Sequence, residues 1–332
     1  MTEQKRDITE DEAALYDRQI RVWGVQAQTM MRNSKILVIG ITALQSEICK
    51  NLILAGIGSL SVWDDSILSK DEDVSSHYLL NADDIGKNKA EAIVPRISEL
   101  NPNVEVEAVT SDVASQTPEF WSKFAVICVS GQTLRWVQEL EKRLNSLTQR
   151  PAIFMCETMN FDAFFCQNLF NHAFVVTTPG ENGAADEHKN EEIVFPNISD
   201  IFSASFAETY SAFGRRCKKE ASIFASVRLI YAFREKFDRW PDESDSAALI
   251  ELQRETEQLA SDESPSSQEV LKVVKNWRVE AAPAAAVMGG LLSQEILKTV
   301  TRKDTPLLNV TVFNGWGNSA VNVQIPKRQS SD

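Results

Sequence analysis

Between Lys35 and Glu157 the chain repeats one unit: a short apolar run, a stretch of helical periodicity, then another apolar run. Strands expected at 35–40, 59–64, 104–110, 125–129 and 152–156 alternate with helices expected near 44–55, 87–100, 117–122 and 132–148. Strands joined through helices return in the same direction, so the pattern predicts an α/β fold: a mainly parallel sheet with helices on both faces. With 332 residues, 43% of them apolar, there is material for one large or two medium domains with a substantial core.

The first strand, Lys35-Ile36-Leu37-Val38-Ile39-Gly40, ends in glycine just before a helix. In a Rossmann-like unit a G-x-G-x-x-G turn stands there and cradles a nucleotide's phosphates. Here the turn reads Gly40-Ile41-Thr42-Ala43-Leu44-Gln45. The second glycine of the motif lets backbone approach a pyrophosphate, and the third lets helix and strand pack closely. Thr42 and Gln45 put side chains in both places, so the scaffold is expected without its phosphate grip.

The formal charge of −13 argues against broad nucleic-acid binding, which requires clustered Lys and Arg. No apolar run of about 18 residues and no basic-then-apolar start is present, so neither a membrane span nor a secretory signal is expected. The cysteines (Cys49, Cys128, Cys156, Cys166 and Cys217) are scattered and form no C-x-x-C, which points to a reducing compartment and away from structural zinc. With His77, His172 and His188 the only histidines, no histidine-based metal site is expected.

Outside the alternating region, Thr9 and Glu12 have capping-box spacing, and Tyr16, Ile20, Trp23 and Ala27 share one helical face, with a break or cap at Gly24. Phe161 to Thr178 reads as antiparallel strands added to one sheet edge. The reading divides the chain into an N-terminal helix plus Rossmann-like domain (1–178), an acidic flexible linker (179–195) and a small helical insertion (196–277), broken between Ser261 and Ser267. A C-terminal helix and hairpin (278–325) complete the fold, and a disordered tail (326–332) follows. In the C-terminal helix Gly289-Gly290 permits close backbone approach.

The string Tyr16-Asp17-Arg18-Gln19-Ile20-Arg21-Val22-Trp23-Gly24 is the most specific in the chain. Packing its aromatic face leaves Arg18 and Arg21 projecting outward. Two readings stand: solvated arginines on an amphipathic helix, or a guanidinium presented to another subunit's phosphates, whose geometry its forked donors match.

YDRQIRVWG, the degenerate glycine turn, NLILAGIGSLSVWDD, IGKNKAEA, LNPNVEVE and GGLLSQEILK together resemble the ubiquitin-like-protein activating enzymes, which have a ThiF/MoeB-like fold. The resemblance covers nearly the whole chain and lies nearest the smaller, non-catalytic subunits of heterodimeric SUMO-activating enzymes. It implies an inactive adenylation domain paired with a larger catalytic subunit that binds ATP and Mg and carries the reactive cysteine. Active halves carry N-x-x-R-Q after the second strand and an aspartate for magnesium within A-L-D-N. This chain has Ser75-Ser76-His77-Tyr78-Leu79 and Val129-Ser130-Gly131-Gln132 instead. Lys89 matches a family lysine, and Asp64 or Asp65 stands where a ribose would lie; both are read as surface or capping residues. Cys217 lies between Arg216 and Lys218, and flanking cations favour a thiolate. Its segment nonetheless matches the shortened insertion of a non-catalytic subunit rather than the P-x-C-T context of a thioester cysteine.

The resemblance therefore implies that this chain binds no cofactor, forms an obligate heterodimer, acts on SUMO and its conjugating enzyme only through the complex, and resides in the nucleus. It assigns Arg18, and more weakly Arg21, to the partner's ATP phosphates. The competing readings are the equivalent subunit of a NEDD8-activating enzyme, a self-sufficient homodimeric adenylyltransferase or nucleotide-dependent reductase, and a scaffold in which Arg18 is inert.

Overall fold

A computed structural model describes residues 7–70, 74–178, 187–256 and 266–326. The alternating region forms β1 (Lys35–Ile39), α4 (Ala43–Ala55), β2 (Ser59–Trp63), α5 (Lys89–Leu100), β3 (Glu105–Ala108), α6 (Pro118–Trp121), β4 (Val126–Val129), α7 (Leu134–Asn145) and β5 (Ala152–Met159). It is preceded by α1 (Glu10–Leu15), α2 (Asp17–Trp23) and α3 (Val25–Arg32). The Thr9–Glu12 capping box closes the start of α1. The expected N-terminal helix breaks at Gly24 and also at Tyr16, which turns inward and is buried.

Strands β1 to β5 pair in parallel in the order β3-β2-β1-β4-β5. Beyond β5 the sheet continues antiparallel through β6 (Asp162–Asn168), β9 (Val310–Asn314) and β10 (Ser319–Val323). The run 161–178 therefore does not form one added edge. Strand β6 is interior, while β7 (Asn171–Thr178) leaves the sheet and pairs with β8 (Glu187–Val194) in a separate ribbon.

Strand β8 corrects the expectation of a flexible linker over 179–195. Its residues are mostly exposed, and eight registered pairs with β7 order the backbone. The buried His172 and Phe174 lie on β7, while β8 satisfies its ladder by pairing with little apolar burial of its own, so polar composition did not exclude a strand. Residues 179–186, the part of the expected 261–267 break up to 265, and the tail from 327 lie outside the described residues.

Successive residues of β1 face opposite ways, as the pleat requires. Ile36 and Val38 join α4, α5 and α13 (Ala282–Thr301) in one buried cluster. On the other face, Leu37 and Ile39 join α7 and the helical region α8 (Ile198–Ser203), α9 (Phe206–Phe213), α10 (Lys218–Phe237), α11 (Ser246–Thr256) and α12 (Ser267–Asn276). The expected helical insertion is thus the layer that covers one face of the sheet, with Phe224, Tyr231 and Phe233 of α10 fully buried. Gly289 brings α13 against α4, where an added Cβ would lie 2.7 Å from Glu47 Cβ; Gly290 faces open space.

Candidate functional site

Carboxyl ends of parallel strands, where the order reverses, are where open α/β sheets place ligands. That point lies between β1 and β4, and Gly40, Ser130 and Gly131 stand there. Gly40 has φ +81°, and a Cβ on it would lie 2.3 Å from the Ser130 carbonyl oxygen. The one glycine that the turn retains is therefore required by the approach of two backbones within this chain.

The other turn positions have local roles. Thr42 is the N-cap of α4, its Oγ1 accepting the Gln45 N–H at 3.1 Å. Gln45 is fully buried, and its amide donates to Ser130 Oγ at 3.1 Å; Ser130 in turn donates to the Cys156 carbonyl at 2.7 Å. A side-chain chain of hydrogen bonds now runs where the motif would leave room for a ligand.

The anion-binding end of α4 is occupied by the protein's own carboxylates. Asp64, just beyond β2, accepts the Ile41 N–H at 2.6 Å, and its other oxygen accepts from Ser66. Glu280, in the segment leading into α13, accepts the Ala43 N–H at 2.8 Å. The second Glu280 oxygen lies 2.8 Å from His77 Nε2, and the Thr158 hydroxyl donates to the first at 3.4 Å. Free N–H groups and the positive helix end are what a phosphate would meet here.

A third carboxylate completes the pocket. Glu157, the sixth residue of β5, is buried and accepts the Gly131 N–H at 2.5 Å, with the Tyr231 hydroxyl 3.5 Å away. Burial pushes its pKa up to about 7, against the opposing Gly131 hydrogen bond and Arg278 charge. Val129 to Gln132 carry no carboxylate, yet the neighbouring strand and the α13 segment bring two. Sequence reasoning missed Glu157, Glu280 and the His77 contact, because the partners are separated by tens to hundreds of residues. Among the described residues no group of three His, Cys, Asp or Glu side chains is placed to hold a metal ion.

Lys89 begins α5, and its backbone N–H bonds the Ser66 carbonyl at 3.1 Å, which ties it to the loop after β2. Asp65 is exposed. Cys49, Cys128, Cys156 and Cys166 are buried, and burial raises each thiol's pKa, that of Cys49 to about 12. Cys217 is half-buried at the start of α10 and packs against the core.

The N-terminal string is held to the sheet residue by residue. The Tyr16 hydroxyl accepts from Asn101 Nδ2 at 2.7 Å, and the ring lies so close to Gly56 that a Cβ there would come within 2.5 Å. Gln19 Nε2 donates to the Ala55 carbonyl at 2.8 Å and to Gln28 at 2.6 Å. Lys303 donates to the Trp23 carbonyl. The strings around Ala55-Gly56 and Asn101 are thus the receptors of the N-terminal one. Arg21 is exposed and pairs with Asp17 at 2.9 Å. Arg18 is exposed and has no hydrogen bond or ion pair with any described residue. Leu15, Val22 and Val25 of the same segment are 62%, 78% and 59% exposed.

This fold and this modified switch-point pocket define the class: the chain belongs to the ThiF family, whose family model matches residues 16–332. It is similar to proteins named SUMO-activating enzyme subunit 1 from Dictyostelium discoideum (28% identical, covering 93% of this chain and 92% of that one) and from Homo sapiens (28%, 96% and 97%). Subunit 1B-1 from Arabidopsis thaliana is 27% identical, with 93% and 94% covered. Among solved structures, PaaA aligns with a TM-score of 0.58 at 15% identity, covering 96% of this chain and 84% of that chain. MccB of E. coli aligns at 0.51 and 14%, covering 94% and 71%. At such identities these two speak for the fold alone.

Proposed function

We propose that this chain is the non-catalytic, regulatory subunit of a heterodimeric SUMO-activating enzyme. The larger partner binds ATP and Mg, adenylates the C-terminal carboxylate of SUMO and takes the product onto its own cysteine as a thioester. This chain binds no cofactor, works in the nucleus as an obligate heterodimer, and meets SUMO and the conjugating enzyme through the complex. The names of its relatives, matched over nearly their full length, support the choice of modifier.

The observation that carries the reading is the contrast between the switch-point pocket and helix α2. Asp64 and Glu280 take the Ile41 and Ala43 N–H groups at the phosphate end of α4, while Arg18 is exposed and, among the described residues, unpaired on an anchored helix. Attack of a carboxylate on the α-phosphorus builds negative charge on the phosphates, and an aimed guanidinium stabilises it. Arg18, supplied in trans, fills that role. Arg21 is a weaker second, since its exposed pair with Asp17 holds it by only about 0.3–0.5 kcal/mol. The exposed Leu15, Val22 and Val25 beside Arg18 suit a surface covered by the partner.

Arg18→Ala in the purified heterodimer is expected to leave assembly intact and to slow ATP–pyrophosphate exchange by roughly 10²-fold or more. Unchanged exchange would leave the chain a scaffold in which Arg18 is inert. The isolated chain is expected to bind no ATP; micromolar binding would favour a self-sufficient adenylyltransferase.

A further inference from the structure

At the opposite end of the sheet, where β1 and β5 begin, lies a cavity of about 660 Å³. Lys35, Lys123, Arg150, His172 and Arg302 line it, and among the described residues no Asp or Glu does. That is against the grain of a chain whose acidic residues outnumber basic ones 47 to 34. Lys123, Arg150 and Arg302 are exposed and form no ion pair with any described residue; Lys35 and Lys123 also border a neighbouring cleft lined by Glu105 and Glu107.

Cations gather at helix C-termini without any ligand, because the last carbonyls carry partial negative charge. Two full helices, α3 and α13, end at this cavity, and their last turns are already served. Asn33 Nδ2 donates to Thr29 O and Ser34 Oγ to Met31 O, both at 2.7 Å. Thr301 Oγ1 reaches the last-turn carbonyl of Lys298 at 3.4 Å, besides donating to Leu297 O at 2.7 Å. Two helix ends contribute about −1 elementary charge in total, against three formal positive charges. A surplus of about two remains.

Contacts hold the side chain of one of these cations and the backbone of another. The Arg150 guanidinium lies 5.5 Å over the Phe170 ring, and the Arg302 carbonyl accepts the Val175 N–H at 2.9 Å. His172 is 92% buried and stacks with Phe174; burial and the Arg302 charge lower its pKa to about 4. It is therefore neutral at pH 7, chiefly through burial, and an anion beside it would offset the smaller contribution, the repulsion from Arg302.

We propose that this cavity at the foot of the sheet is a binding site for a small, multiply charged oxyanion of the phosphate class, clamped by Arg150, Arg302 and Lys123. The volume falls within the roughly 300–1,000 Å³ of small-molecule sites, and forked guanidiniums match phosphate oxygens. The site is independent of the modified switch-point pocket, and it stands whether or not Arg18 acts in trans.

The test is calorimetric titration of the purified full chain with inorganic pyrophosphate at low and physiological ionic strength, with inorganic phosphate and sulfate in parallel. One saturable site per chain is expected, tighter for pyrophosphate than for the smaller anions and weakened by salt. The double variant Arg150→Ala/Arg302→Ala should weaken binding at least tenfold with only a small loss of thermal stability, that of the exposed Arg150–Phe170 contact. Lys142→Ala, an exposed cation outside the cavity, should change nothing. The His172 ring resonances should shift on binding to the native chain and not to the double variant. Absence of saturable pyrophosphate binding, or equal binding by the double variant, overturns the proposal.

Discussion

Glu280 accepts the Ala43 N–H at 2.8 Å although 237 positions separate the two residues in the chain. The contact puts a carboxylate from the approach to α13 on the N-terminus of α4, and His77 holds its second oxygen. A helix end that in an active fold would wait for phosphate is here satisfied internally. A nucleotide reaching for the Ile41 or Ala43 N–H would have to displace Asp64 or Glu280, and it would do so against their negative charge. The missing motif glycines are therefore only part of what closes the pocket.

Restoring the motif should consequently fail to restore binding. Thr42→Gly/Gln45→Gly recreates the glycine pattern, costs a few tenths of a kcal/mol at the cap, and leaves a void at buried Gln45. ATP titration of this variant is expected to show no more binding than the parent chain. Glu280→Ala removes the internal anion, leaving the Ala43 N–H and the His77 ring without their partner. It should lower unfolding free energy by about 1–3 kcal/mol in urea denaturation. A variant as stable as the parent would mean the carboxylate does not cap α4 in solution.

Gly40 should be far less tolerant than either replaced motif position. Gly40→Ala forces a side chain into φ +81° and sets its Cβ 2.3 Å from a backbone oxygen that no rotamer change can move. Left-handed strain and overpacking add, so a loss of roughly 3 kcal/mol or more is expected. The measurement is soluble yield and denaturant midpoint beside those of Thr42→Gly. Comparable stability of the two would refute a structural role for this glycine.

Glu157 and His172 make opposed contributions to stability against pH. The folded pKa of Glu157 is raised from 4.5 to about 7, so the folded state holds a proton that the unfolded state releases. Its contribution is full below pH 4.5 and is lost as pH rises towards 7. His172 is lowered from 6.5 to about 4, so its contribution is full above pH 6.5 and is lost as pH falls towards 4. Each spans about 3 kcal/mol, and between pH 4.5 and 6.5 the two slopes cancel. Unfolding free energy measured across that window should therefore rise with pH in Glu157→Gln and fall with pH in His172→Gln. Parallel curves for parent and both variants would show that neither group titrates as described.

Legibility in the sequence followed the length scale of the cause. The strands β1 to β5 were readable because their apolar runs are local, and Thr42 was readable as a residue whose side chain blocks the turn. The ribbon strand β8 was not, since Glu187 to Val194 owes its order mainly to backbone pairing with β7, with Ile193 its one residue packed against the core. Glu280 and Glu157 were invisible for a different reason. Each is an ordinary glutamate in sequence, and only the sheet and the α13 approach bring them to the pocket. Arg18 stood out in an unusual string, but the use of its neighbours became apparent only when Tyr16 and Gln19 met Asn101, Gly56 and Ala55.

That division of labour within the string yields a test that separates anchoring from chemistry. Gln19 fixes α2 through the Ala55 carbonyl at 2.8 Å and through Gln28, which bonds the same carbonyl at 3.1 Å. Gln19→Ala removes two donated hydrogen bonds at a half-buried site and should lower stability by about 1–2 kcal/mol. Arg18→Ala touches no described partner and should change stability by no more than about 0.5 kcal/mol. In the heterodimer the order should reverse: Arg18→Ala should impair pyrophosphate exchange more, with Gln19→Ala acting only through a loosened α2. If both variants lost exchange and stability in the same proportion, Arg18 would be another structural member of the string rather than a residue presented to a neighbour.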